Sequence, residues 1–175
     1  MNIDPADKVY FKEIQYFRQK WILLLLLIAT GFAWYSFILQ IILGLPVGSN
    51  PAPDWATWII WVVIGIGVPL LLYYTKLIIE VKSDKIIIKF VPFTSKTIPY
   101  SKIKKTQALT YKPIQEFGGW GIRWGSGNRR AYNVSGNQGV EIELRDGKRI
   151  LLGSQNADEL AANISSRINN HRDLA

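Results

Sequence analysis

Two long apolar stretches and a run of short alternating segments organise this chain. Residues 21–45 (WILLLLLIATGFAWYSFILQIILGL) hold one strongly polar side chain, Gln40, and residues 55–75 (WATWIIWVVIGIGVPLLLYYT) hold no charge. At ~1.5 Å rise per residue, either can cross a hydrocarbon core of roughly 30 Å as a helix. Helix is the form expected, because lipid satisfies no exposed backbone group and two spans cannot close a barrel. Pro69 removes one backbone hydrogen bond and predicts a kink or a packing site in the second helix. The nine residues 46–54 (PVGSNPAPD) between them are Pro-rich and too few for anything but an antiparallel hairpin. A cleaved signal peptide does not fit the first stretch, which is too long and has no small-residue cleavage pattern after it.

Beyond residue 75 the texture becomes period two. Segments 77–82 (LIIEVK) and 86–91 (IIIKFV), separated by Ser83-Asp84-Lys85, predict a hairpin of β-branched strands. Further strands are expected at 96–99, 104–111, 120–124, 129–134, 140–145 and 148–152. In the last pair Val140-Glu141-Ile142-Glu143-Leu144 alternates apolar and acidic, and Asp146-Gly147 supplies a tight turn. Asn156 with Glu159 forms a capping-box pattern ahead of a helix whose Leu160, Ile164 and Ile168 make one apolar stripe. Short strands closed by one amphipathic helix suggest a small barrel or sandwich. Ahead of the first span, Tyr10, Ile14, Phe17 and Trp21 recur at helical spacing. Segment 1–20 is read either as an interfacial helix or as an extension of the span. The expected organisation is therefore an N-terminal segment 1–20, a two-helix transmembrane hairpin 21–75 and a soluble domain 76–175.

Charge adds direction. Of 21 Lys and Arg, none falls between residues 21 and 75, where Asp54 is the single charge. Lys8, Lys12, Arg18 and Lys20 precede the first span, and Lys76, Lys82, Lys85 and Lys89 follow the second. The positive-inside rule then places both termini in the cytoplasm and the 46–54 loop outside, as a multi-pass protein of the inner (plasma) membrane. With no Cys and a single His, His171, neither a thiolate metal site nor a Ser-His or Cys-His nucleophile is expected in the domain. No metal, cofactor or catalytic residue is predicted, and the reading is non-enzymatic. Glu116 is the one domain carboxylate outside turns, alternating strands and the last helix that merits attention.

The order of a membrane hairpin, then strands, then Gly118-Gly119-Trp120-Gly121-Ile122-Arg123, Ala131-Tyr132-Asn133-Val134-Ser135-Gly136 and Gly153-Ser154-Gln155 before a capped helix resembles bacterial membrane proteins with a pleckstrin-homology-like domain. The resemblance covers about residues 11–168. It implies a membrane α-helical hairpin plus an all-β pleckstrin-homology-like barrel or sandwich of seven strands with a C-terminal helix. One of the eight strands read above, 96–99 first, is then expected to drop out. It carries over no catalytic residue.

Segment 111–136 concentrates candidate binding residues: Phe117, Trp120, Arg123, Trp124, Arg129, Arg130 and Tyr132, among six of the 14 glycines. Aromatics offer rigid contact area and arginines offer anion recognition. The competing reading is packing, with glycines at bulges and aromatics in the core. Gly118-Gly119-Trp120-Gly121 lacks the Lys-Ser/Thr of a phosphate-binding P-loop. A second group, Lys96, Lys102, Lys104, Lys105 and Lys112, is expected to face the membrane surface, where each basic residue contributes about 1 kcal/mol of attraction to anionic lipid. The expected partners are the lipid bilayer, a membrane or cytoplasmic protein and anionic lipid headgroups; nucleic acid is not expected. The two functional readings are a membrane-anchored binding or scaffold module and an accessory subunit of a larger membrane complex.

Overall fold

The computed structural model describes residues 8–173 and divides them into two compact units, one of residues 18–75 and one in which the N-terminal segment to residue 17 joins residues 76 onward.

In the first unit two helices, α1 (Lys20–Ile42) and α2 (Asp54–Tyr74), are long and apolar enough to cross a membrane. They run antiparallel: Thr30 Oγ1 donates to Ile64 O at 3.3 Å and Trp34 Nε1 to Gly65 O at 3.2 Å. Toward the connecting loop, Gln40 Nε2 donates to Asp54 Oδ1 at 2.8 Å. Between the helices Phe37 stacks on Trp61 at 4.1 Å and meets Trp58 edge-on at 4.8 Å. Trp34, across the hairpin, and Trp58 thus pack edge-on against Trp61 while staying exposed on their outer sides. Gly65 is close-packed, since a Cβ there would lie 3.1 Å from the Trp61 ring. Pro69 is accommodated by a π-helical stretch, Trp61–Gly67, that ends with Val68 N–H bonded to Val63 O. The wider turn absorbs the missing proline donor.

Among the described residues the second unit holds nine strands in two sheets, four in the order β1-β2-β3-β4 and five in the order β5-β8-β9-β7-β6. All eight expected strands form: β2 (Lys76–Lys82), β3 (Lys85–Val91), β4 (Thr94–Pro99), β5 (Ile103–Thr110), β6 (Gly121–Gly125), β7 (Arg129–Asn133), β8 (Gln138–Leu144) and β9 (Arg149–Gly153). The 96–99 segment does not drop out, because β4 completes the edge of the first sheet. The Asp146-Gly147 turn is as read, with Gly147 at φ +81°. A short helix, α3 (Pro113–Phe117), follows β5, and α4 (Ala157–Asp173) closes the chain.

The N-terminal segment is the main correction. Val9–Tyr16 is neither an interfacial helix nor an extension of the span but strand β1, antiparallel to β2 from Val9↔Lys82 to Tyr16↔Lys76. The domain boundary moves with it, and β1 belongs with the sheets rather than apart from them. Helical spacing misleads here because the buried side of β1 is partly polar. Phe11, Glu13 and Gln15 point inward, while Ile14 and Tyr16 are exposed.

Two apolar layers hold the unit. Between the sheets lie Leu77, Ile79, Ile86, Ile88, Ile98 and their facing partners Val140, Ile142, Ile150 and Leu152, with Leu160, Ile164 and Ile168 of α4 on one side. The expected stripe of α4 is therefore the docking face, and Thr106 and Ser165 hydroxyls meet beside it at 3.0 Å. On the outer face of the second sheet, Tyr111, Phe117, Ala131 and Leu151 form a smaller cluster beneath α3.

Candidate functional site

The β6–β7 hairpin and α3, which together carry the aromatic-arginine segment, are set by backbone geometry. Gly118 caps α3 in the left-handed conformation at φ 70°. Gly118 N–H returns to Ile114 O and Gly119 N–H to Pro113 O, both at 2.9 Å, a glycine C-terminal cap that satisfies orphan carbonyls. Gly121 N–H donates to Asn133 Oδ1 at 2.9 Å. Three of the four amides in Gly-Gly-Trp-Gly are thus engaged within the fold, which leaves no nest for a phosphate.

The seven candidate side chains separate into four groups. Phe117 and Tyr132 are buried, at 4% and 1% exposure, and belong to the outer and inner cores. Arg129 is held on every side. Its Nε reaches Glu141 at 2.8 Å, its Nη1 reaches Glu116 at 2.9 Å, and its guanidinium lies 5.0 Å above the Phe117 ring. Glu116 in turn accepts the Lys112 backbone N–H at 2.7 Å. That hydrogen bond, followed by those with Arg129, holds the Glu116 carboxyl below the usual carboxylate range. Glu116, the carboxylate singled out above, clasps α3 to the sheet. Trp120 is half-buried with its indole N–H on Gly136 O at 2.9 Å, and Arg123 Nε donates to Trp120 O at 3.0 Å.

Trp124 and Arg130 remain. They are cross-strand partners on β6 and β7, with the Arg130 guanidinium 4.7 Å from the Trp124 ring and 5.2 Å from Tyr132. The Trp124 side chain is 69% exposed. Arg130 Nε is buried without an acceptor among the described residues.

The five lysines do not form one patch. Lys104 and Lys112 lie at opposite ends of β5, and Lys104 is paired with Glu143 at 2.6 Å. Lys102 and Lys105 are exposed at the start of that strand. Lys96 stands apart on β4, half-buried, on the same face as Ile98. Burial and then the positive charges of Arg130 and Lys148 push its ammonium below the ordinary lysine range.

Sequence reasoning missed a polar cluster behind β1. Buried Glu13 accepts from Ser154 Oγ at 2.6 Å and from Gln155 N–H at 2.8 Å, and Gln15 Nε2 donates to Gly153 O at 2.7 Å. Beside it Asn133, fully buried, donates to Tyr111 OH at 2.9 Å. The signal was the pairing of Gly153-Ser154-Gln155 with polar residues at i, i+2 in a strand far upstream. Among the described residues no group of three His, Cys, Asp or Glu could hold a metal ion.

These features define a class: a two-sheet β unit with a C-terminal helix, carried on the same chain as two helices of membrane-spanning length. Residues 3–171 match DUF6141, a family of unknown function, and the chain belongs to that family. No curated protein matches it.

Proposed function

We propose that this chain is a membrane-anchored, non-enzymatic binding or scaffold module. In this reading α1 and α2 span the inner membrane as a hairpin, and a pleckstrin-homology-like domain on its cytoplasmic side engages a protein partner or anionic lipid headgroups. The observation that carries the reading is the β1–β2 pairing. Tyr16 and Lys76, which stand just outside the two helices in sequence, are direct partners in one sheet. The two spans therefore start and finish at neighbouring strands, which supports a hairpin with both termini on one side of the bilayer.

The strand count supports the pleckstrin-like assignment. With the β6–β7 hairpin set aside, the four strands of the first sheet and β5, β8 and β9 of the second total seven, followed by α4. On this reading the membrane hairpin is inserted into the first strand connection of the domain, and β6–β7 is a second insertion. The soluble part, 76–175, carries 17 basic and 9 acidic residues, which favours an anionic partner.

An accessory-subunit role is the second reading. One observation favours it: Gly31 of α1 has open space where a Cβ would be, a place where another helix can approach closely.

The test is extraction of the full-length protein from its native membrane in mild detergent, with identification of what co-purifies. A stoichiometric protein or retained anionic lipid is the expected result. A fixed set of foreign membrane subunits moves the conclusion to the accessory role. Protein that comes out with neither lipid nor partner refutes both.

A further inference from the structure

We propose that the outer face of the first sheet, along an oblique ridge of Ile14, Ile78 and Ile87, docks an amphipathic helix of a protein partner whose apolar stripe is flanked by carboxylates. The inference rests on the binding-module reading and gives it a surface and a partner chemistry.

The strand register defines the face. Side chains alternate along a strand, so residues paired across strands share one side of the sheet. Ile14 of β1 pairs with Ile78 of β2, and Ile78 with Lys89 of β3. One step along, Lys12 pairs with Glu80, and Glu80 with Ile87. All six point away from the core, which takes Leu77, Ile79, Ile86 and Ile88 from the same strands. The three isoleucines thus step across three strands, roughly 10 Å. Ile14 is 45% exposed, and Ile78 and Ile87 are half-buried.

The rest of the unit treats outward positions differently. On the second sheet, β8 places Glu141 and Glu143 outward, each in an ion pair. The apolar cluster on that sheet's outer face, Tyr111 and Phe117 among it, lies beneath α3. The ridge on the first sheet keeps its exposure instead. Strands β2 (KLIIEVK) and β3 (KIIIKFV) are apolar on both sides, the pattern of strands that are covered on both faces.

Charge beside the ridge selects the occupant. Glu80, 8% exposed, is ion-paired with Lys12 at 2.9 Å and Lys89 at 3.7 Å. The carboxylate is enclosed while both lysine side chains stay about half exposed, so the face presents positive charge outward. A second copy of this chain would oppose lysines with lysines. A bilayer surface is matched by aromatic side chains at headgroup level, and the ridge is aliphatic. An added strand finds no backbone partner on the ridge's middle strands, because β2 and β3 are each paired on both sides. A helix fits: its apolar side chains at i, i+3 or i+4, and i+7 span about 10 Å, and carboxylates on its flanks reach Lys12 and Lys89.

The test is photo-crosslinking of the full-length chain in its native membrane. Benzoylphenylalanine replaces Thr97, an exposed residue paired with Ile87, or, as a control, Lys105, exposed on β5. The captured segment is sequenced by mass spectrometry. The expected result is a protein adduct from position 97, absent from position 105, whose captured segment is an acidic amphipathic helix. Its yield falls about tenfold or more in Ile14→Glu, which breaks the ridge and repels an acidic partner, and falls less in Ile14→Lys. Both variants are checked for an unchanged melting transition. Should either unfold, Lys89→Gln, which leaves Glu80 paired with Lys12, carries the comparison, and an undiminished yield overturns the charge match. Equal loss in Ile14→Glu and Ile14→Lys overturns the acidic partner. Adducts with a second copy or with lipid overturn the helix as occupant. No adduct from position 97, while a partner protein still co-purifies, overturns this surface and leaves the binding-module reading standing. No adduct together with no co-purifying partner or lipid overturns both.

Discussion

Replacement of Glu13 by Ala tests whether β1 is an integral part of the β unit. Glu13 is 9% exposed and accepts two hydrogen bonds, from Ser154 Oγ and Gln155 N–H, at the junction of β9 and α4. Each bond to a charged acceptor contributes about 1.5–3 kcal/mol, and removal leaves two donors without this acceptor, the Ser154 hydroxyl in a buried position and the Gln155 N–H in a partly buried one. The two losses share one carboxylate and do not simply add, so a cost of about 3–4 kcal/mol is expected. That is a large share of the roughly 5–15 kcal/mol by which a domain is stable. For a unit of this size it corresponds to a melting temperature lower by about 10–20 °C. The assay is thermal unfolding of the full-length protein in micelles, with hydrogen exchange at the Gln155 amide as a local probe. Glu13→Gln, which keeps one oxygen for Gln155, is expected to cost only about 1–2 kcal/mol. A Glu13→Ala protein that melts within about 3 °C of the parent, with Gln155 still protected, refutes the claim that this contact ties β1 to the α4 junction.

Two further outcomes are expected. The Glu80 carboxyl, hydrogen-bonded to Lys12, and the Glu116 carboxyl, hydrogen-bonded to the Lys112 amide and Arg129, both have values lowered from the ordinary 4.5. Their stabilisation is therefore fully present above pH 4.5 and is lost as pH falls through the lowered values. Melting temperature measured from pH 6 downward should drop below about 4.5, and a Glu80→Gln, Glu116→Gln double variant should show a flatter profile. Gly125→Ala would place a Cβ 2.7 Å from the Phe117 ring, and a loss of about 1–3 kcal/mol is expected in denaturant unfolding, with the outer cluster loosened.

Much of this architecture was legible because its code is local. The β-branched run at 86–91, the alternation at 140–144, the Asp146-Gly147 turn and the Leu160, Ile164, Ile168 stripe each report their element without reference to distant residues. Strand β1 was illegible for the opposite reason. Its inward positions are Phe11, Glu13 and Gln15, and two of these make sense only against the 153–155 backbone more than 130 residues away. Its Tyr10 and Ile14, continued by Phe17 and Trp21, meanwhile imitated a helical stripe. The aromatic-arginine segment was legible as a composition but not as a site. Adjacent arginines on one strand face opposite sides, and only the long-range partner Glu141 reveals that Arg129 is committed to structure while Arg130 is not. The lysines near 102–105 looked like a patch together with Lys96 and Lys112, but the strand directions carry them to different ends and faces.

The most direct measurement is the sidedness of the chain in intact cells. The sequence contains no Cys, so single cysteines introduced as Asn50→Cys, in the loop between the helices, and Ser83→Cys, in the turn after β2, report without background. Asn50→Cys should react with a membrane-impermeant maleimide added outside, once any outer barrier is opened, while Ser83→Cys reacts only after lysis of the inner membrane. Labelling of both from outside, or of Ser83→Cys alone, contradicts a cytoplasmic domain fastened to the membrane through β1 and β2.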